Sequence, residues 1–191
     1  MKKIINKPEH VVSELLKGME LSHPELVYTE KLEVIARREK SDKVAVISGG
    51  GAGHEPAHAG YVGRGMLDAA VCGNVFSSPS PDRILEGIRQ TECGKGVLMI
   101  IKNYSGDIMN FGLAQELAEM EDIQVESVVV KDDVAVADST YSTGRRGIAG
   151  TVFVHKIAGA KAEAGGTLQE VKMAAQKAID NIRSMGVAPS P

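Results

Sequence analysis

Tryptophan is absent from this 191-residue chain and aromatic residues make up only 4% of it, so it offers no stacking platform for single-stranded nucleic acid. The net charge is a mere −3, and no basic stripe supplies the electrostatic footprint that a phosphate backbone needs. No apolar run approaches the ~18 residues of a membrane span, and the opening Met1-Lys2-Lys3-Ile4-Ile5-Asn6-Lys7 lacks the apolar core of a signal peptide. Only two cysteines are present, Cys72 and Cys93, in neither a C-x-x-C nor a zinc-ribbon spacing, which points to reduced thiols. The expectation is a cytoplasmic protein of one domain, since 43% hydrophobic and 25% charged residues suit an ordinary globular core.

What is abundant is the alternation of short β-branched runs with helical patterns. Val44–Ile47, Asp68–Val71, Val97–Ile101 and Val125–Val130 read as strands, with helices expected over Pro81–Thr91 and Asp107–Glu121. Apolar runs that do not alternate with polar residues fit strands buried on both faces of a parallel sheet. The fold class is therefore α/β, a mostly parallel sheet flanked by helices, with any ligand site at the carboxyl ends of the strands. Pro8 to Gly18 reads as an amphipathic helix ending near Ser22-His23-Pro24. Gly147 to Ala164 reads as another, and Thr167 caps a last one over Leu168 to Met185. Tyr28 to Asp42 receives no assignment.

The densest chemistry lies in Ser48-Gly49-Gly50-Gly51-Ala52-Gly53-His54-Glu55-Pro56, a glycine loop and an imidazole directly after the first strand. Glycines let backbone N–H groups approach a polar ligand, and histidine suits proton transfer near neutrality. After the third strand, Lys102-Asn103-Tyr104-Ser105-Gly106-Asp107 adds a cation, an amide, a hydroxyl and a carboxylate, although Gly106-Asp107 also fits a plain turn and helix cap. The expectation is that Gly51, Gly53, His54, Lys102 and Asp107 converge in one cleft. An Asp facing a His across it can take a proton from a substrate hydroxyl and stabilise the developing charge. The loop is neither a P-loop nor a dinucleotide fingerprint, so no nucleotide is expected on this chain.

His54-Glu55-Pro56-Ala57-His58 spells the zinc-protease pattern H-E-x-x-H, but Pro56 is tolerated only in the first turn of a helix, so the two imidazoles should not share a helical face. No metal is expected, and His58 is assigned a structural place on the short helix that Pro56 begins. Asp132-Asp133 with Asp138 reads as an acidic strand end rather than a cation cluster, and Arg145-Arg146 as solvated residues beside a helix start. Ser77-Ser78-Pro79-Ser80-Pro81 is a rigid turn able to lend a hydroxyl to a ligand. His10, His23 and His155 lack company and read as surface or packing residues.

Taken together, the Ser48–Pro56 stretch, Phe76-Ser77-Ser78-Pro79-Ser80-Pro81-Asp82, Ile101–Asp107 with Asn110-Phe111, and Asp132-Asp133-Val134-Ala135 with Gly144-Arg145-Arg146-Gly147 resemble the substrate-binding subunit of the dihydroxyacetone kinase (DhaK) family. The likeness runs over nearly the whole chain. It implies that Gly51, Ala52, Gly53, His54, Lys102 and Asp107 contact dihydroxyacetone, with His54 and Asp107 as the acid/base pair. It implies a homodimer, and a separate kinase partner subunit carrying ADP or ATP with Mg. The family continues into a second domain whose histidine forms a covalent hemiaminal with the ketone. No histidine follows His155 here, so the resemblance covers the first domain, and this chain alone is expected to be catalytically silent and to hold the ketone weakly. A non-catalytic ketone sensor or regulator that binds a partner protein is the alternative.

Overall fold

The computed structural model describes residues 3–136 and 144–187; Asp138 and the last four residues lie outside them. Six strands form one sheet in the order β1-β2-β4-β3-β5-β6. They are β1 (Leu26–Thr29), β2 (Val34–Arg37), β3 (Ala45–Ala52), β4 (Ala69–Val75), β5 (Val97–Lys102) and β6 (Val125–Val130). β4, β3, β5 and β6 run parallel, while β1 and β2 form an antiparallel edge. The Tyr28–Asp42 stretch without a sequence assignment holds β2 and the second half of β1.

The parallel strands are buried on both faces, as their unbroken apolar runs require. Val46, Ala70, Leu98, Ile100 and Val128 point to one core with α1 (Val11–Ser22), α4 (Thr151–Glu163) and α5 (Leu168–Asn181). The alternate residues Ala45, Ile47, Val71, Met99 and Ile101 face α2 (Pro81–Thr91) and α3 (Ser105–Glu119). Phe111 of α3 is wholly buried beneath Gly49, and truncating such an aromatic costs about 3–5 kcal/mol.

Two helices are shorter than their sequence patterns suggest. α4 starts at Thr151 rather than Gly147, because the Asp132 carboxylate accepts hydrogen bonds from the N–H groups of Ile148 at 2.9 Å and Gly150 at 2.8 Å, holding that segment in turns. α5 stops at Asn181, after which Ser184 bridges to Asp133 and its N–H donates to the Asp132 carbonyl at 2.8 Å.

The centre of the sheet parts toward its carboxyl end. β3 pairs with β5 only as far as Ser48 opposite Ile100. Beyond that point β3 continues with β4 to Ala52 and β5 continues with β6 to Lys102. The chain also changes direction here: from β3 it passes to β4 on one side, then crosses through α2 to β5 on the other. Such a switch point is where open α/β sheets hold ligands.

Candidate functional site

The glycine stretch is strand rather than loop. Gly49, Gly50 and Gly51 lie opposite Val71, Cys72 and Gly73, so sheet pairing carries the backbone straight through them. Gly51 has no room for a side chain: a Cβ there would lie 2.5 Å from the Ser77 nitrogen. The turn follows only at Gly53, whose φ of 107° favours glycine. Ala52 is buried and its carbonyl accepts the Phe76 N–H at 2.8 Å.

From that turn His54 reaches the end of β5. Its Nδ1 lies 3.0 Å from the Ala57 carbonyl, which can only accept, so the ring proton sits on Nδ1. Nε2 is then a lone pair, and the Lys102 ammonium donates to it at 2.9 Å. Asp107 lies in the first turn of α3, not at its cap, where the helix dipole favours a carboxylate. Its Oδ2 stands 3.6 Å from where a Gly50 Cβ would be. The Ser78 hydroxyl, beside this carboxyl, donates to the Pro79 carbonyl at 3.5 Å, and Asn110 anchors the same turn by donating to that carbonyl at 2.8 Å.

Burial dominates the electrostatics. It pushes the Asp107 carboxyl above its usual range, against the opposing pull of Ser78, Lys102 and His54. It likewise lowers the Lys102 ammonium, with Asp107 opposing. Each group is biased toward its neutral form, the state in which protons move readily between site and substrate.

Two histidines given a packing role by the sequence belong to this cluster. No helix begins at Pro56; residues 55–58 form turns before a 3-10 turn at Ala59–Tyr61, because the chain must fold back beneath β3. His58 is thereby buried edge-on to His54, ring centroids 5.9 Å apart. His155, expected to stand alone, is buried on α4 with its Nε2 3.2 Å from His58 Nδ1. Burial holds His58 well below its ordinary pKa, helped by His155, Lys102 and His54. Burial also brings His155 down to about 3, with Lys102 adding to the effect. The sequence pattern places His155 on one helical face with Ile148, Val152 and Ala158, but its partner His58 comes from a turn that no periodicity announces.

Arg146 and Asp133 are also less passive than expected. They pair at 3.0 Å and, with Asp132, lay residues 146–150 across β5, where a Gly147 Cβ would sit 3.0 Å from the Lys102 Cα. This segment roofs a cavity of about 330 Å³ lined by His54, His58, Lys102, Tyr104, Thr151 and His155, among others. Gly51, Ala52, Gly53 and Asp107 are not on its wall; Asp107 faces the neighbouring Gly50 notch. A larger hollow, about 1030 Å³, lies at the opposite, amino end of the strands, among Asp42, Lys95 and Asp122. No group of three or more metal-ligating side chains is arranged around a common point among the described residues. No helix among them is long and apolar enough to cross a membrane.

A parting in a mostly parallel sheet, with the glycine strand and His54 on one side and a desolvated Lys102 and Asp107 on the other, defines an α/β protein with a polar cleft at the carboxyl ends of its strands. The chain belongs to the Dak1 domain family, whose model matches residues 17–191. It is 58% identical to the dihydroxyacetone-binding subunit DhaK of a PTS-dependent dihydroxyacetone kinase from Listeria innocua, over 100% of this chain and 59% of that one. It is 42% identical to the DhaKLM operon coactivator DhaQ of Lactococcus lactis, over 99% of this chain and 58% of the relative. The fold superposes on the dihydroxyacetone kinase from C. freundii in complex with AMP-PNP and Mg2+ with a TM-score of 0.87 at 45% identity, covering 94% of this chain and 34% of that one. The chain thus spans less than two thirds of the length of these relatives.

Proposed function

We propose that these residues, as one α/β domain, form the dihydroxyacetone-binding part of a dihydroxyacetone (glycerone) kinase and present a substrate hydroxyl to a nucleotide-carrying partner subunit. The observation that carries this reading is the meeting of His54, Lys102 and Asp107 where β3 and β5 part. His54 and Asp107 act as the acid/base pair; Gly51, Ala52, Gly53 and Lys102 complete the substrate contacts. A hydroxyl becomes a good phosphoryl acceptor as it loses its proton. A carboxyl whose pKa is raised toward neutrality can take that proton, and the adjacent ammonium stabilises the oxyanion. Positioned acid/base groups of this kind supply about 10²–10⁴-fold in rate.

The nucleotide and Mg belong on the partner, whether as an ADP-bearing subunit recharged by the phosphotransferase system or as an ATP-binding domain. The family relation supports a cytoplasmic homodimer. Calorimetry with dihydroxyacetone, and phosphate transfer after adding the kinase partner, test the reading. The expected result is binding by the chain and turnover only with the partner; turnover with ATP and no partner, or no binding at all, overturns it. The 42% identity to a coactivator favours one second reading, a ketone-responsive regulator. Ketone binding with no turnover in the reconstituted system, joined to ketone-dependent capture of a transcription factor, would select it.

A further inference from the structure

The Ser48 hydroxyl donates its only proton to the Ile100 carbonyl, at 2.6 Å. At its 3.4 Å contact with His58 Nδ1 the oxygen can therefore only accept, and the imidazole proton must sit on Nδ1. The same proton faces His155 Nε2 at 3.2 Å, which accepts it and leaves the His155 proton on Nδ1. A neutral His58 protonated at Nδ1 has a bare Nε2. That atom is fully buried and has no hydrogen-bond partner, a state that costs about 1–3 kcal/mol unless something fills it.

What Nε2 faces is the side of Gly50, where the absent side chain leaves a notch. A Cβ there would stand 3.6 Å from His58 Nε2 and 3.6 Å from Asp107 Oδ2. An oxygen atom seated in this notch reaches the carboxyl on one side and the imidazole lone pair on the other. In the protonated form of Asp107 the order is carboxyl O–H to hydroxyl oxygen, and hydroxyl O–H to Nε2, so every proton has an acceptor; Asp107 serves as the base only after its own proton has left.

We propose that His58 is a further substrate-binding residue, fixed as its Nδ1-protonated tautomer by Ser48 and His155, and that it accepts a hydrogen bond from a hydroxyl of a small hydroxyketone seated over Gly50. This rests on the assignment of the cleft to dihydroxyacetone. His155 is a positioning residue that acts through His58.

Ring-¹⁵N histidine spectra of the 191-residue chain test the proposal directly, because imidazole tautomers have distinct nitrogen shifts and His10→Gln, His23→Gln, His54→Gln and His155→Gln assign four of the five rings, leaving His58 as the fifth. The expected result is His58 protonated on Nδ1, with Nε2 in the bare-nitrogen range moving toward the hydrogen-bonded range on adding dihydroxyacetone and staying put with acetone, which has no hydroxyl. His58→Leu should weaken dihydroxyacetone about tenfold by calorimetry, the worth of one good hydrogen bond. A proton on Nε2, or dihydroxyacetone shifting His54 while His58 stays still, overturns the proposal and leaves the site assignment standing. No ligand-induced shift at either ring overturns both. If His58→Leu does not fold, the tautomer and shift in the unsubstituted chain still decide.

Discussion

The two ends of this sheet treat buried charge in opposite ways. At the amino end Lys43 and Arg37 close on Asp68 at 2.6 and 2.9 Å, and Arg37 reaches Glu163 at 2.7 Å. The Val46 N–H also donates to Asp68 at 2.8 Å. Two cations and two carboxylates satisfy one another, and although burial works to raise Glu163, Lys43, the Gly65 N–H and Arg37 hold its carboxyl below the usual range. At the carboxyl end Lys102 turns to a neutral imidazole, not to Asp107, and His58 Nε2, His155 Nδ1 and Thr151 Oγ1 have no partner at all. Polar groups that complete each other stabilise a fold. Groups held close but incomplete keep their hydrogen bonds for something else, at a cost in stability.

That contrast breaks most sharply at Asp107. Asp107→Asn should lower phosphoryl transfer in the reconstituted enzyme about 10²–10⁴-fold while leaving the urea midpoint unchanged or higher, since it removes a carboxyl that is costly to ionise in place. A variant as active as the parent would show that Asp107 is not the proton acceptor. The mirror experiment is Asp68→Ala. It leaves the buried Lys43 without its 2.6 Å partner and Arg37 with Glu163 alone, and should cost about 3–5 kcal/mol in a denaturant titration, with dihydroxyacetone affinity of the folded fraction unaltered. A small loss would mean that solvent, not Asp68, satisfies those cations.

How much of this was legible from residues alone follows the same division. The strands β5 and β6 and the helix α2 announced themselves within a residue of their ends, because burial on both faces leaves an unmistakable apolar run. The β1–β2 hairpin did not. Its turn carries no glycine or asparagine, Lys31 and Glu33 taking positive φ instead, and its strands are only four residues each. His54, Lys102 and Asp107 were readable because each follows a strand end, where a parallel sheet gathers its loops. His58 and His155 were not, since 97 residues separate them and only packing of α4 against the β3–β4 connection brings the rings together. Asp132 was misread for a related reason: its role is to hold N–H groups sixteen and more residues onward, which no local pattern encodes.

The buried imidazoles also give the carboxyl end its own pH signature. His155 is held down to about 3 from an ordinary 6.5, so between those values the unfolded chain binds a proton that the folded chain refuses. Stability is therefore fully present above about 6.5 and lost as pH falls, by at most ~1.4 kcal/mol per pH unit for this one group; His58 is shifted in the same direction. His155→Gln should flatten the stability profile across that window relative to the parent, measured by urea titrations at successive pH values. Parallel profiles would show that the ring protonates without unfolding.

The smallest expected effect sharpens the amino end. Thr167 caps α5, accepting the Glu170 N–H at 3.4 Å while the Glu170 carboxylate accepts the Thr167 N–H at 3.0 Å. The pair satisfies two N–H groups that a helix start leaves without partners. Lys161, on α4, reaches the same carboxylate at 3.4 Å, so the cap also ties the last two helices together. The pair is exposed, and its worth is that of an ordinary cap: Thr167→Ala should cost about 1 kcal/mol. Because the cap sits beyond the amino end of β6, on the far side of the sheet from His54 and Asp107, ketone affinity and turnover should be unchanged. A loss of affinity accompanying that loss of stability would show that the two ends of the sheet are energetically coupled, and that the division drawn between them is too clean.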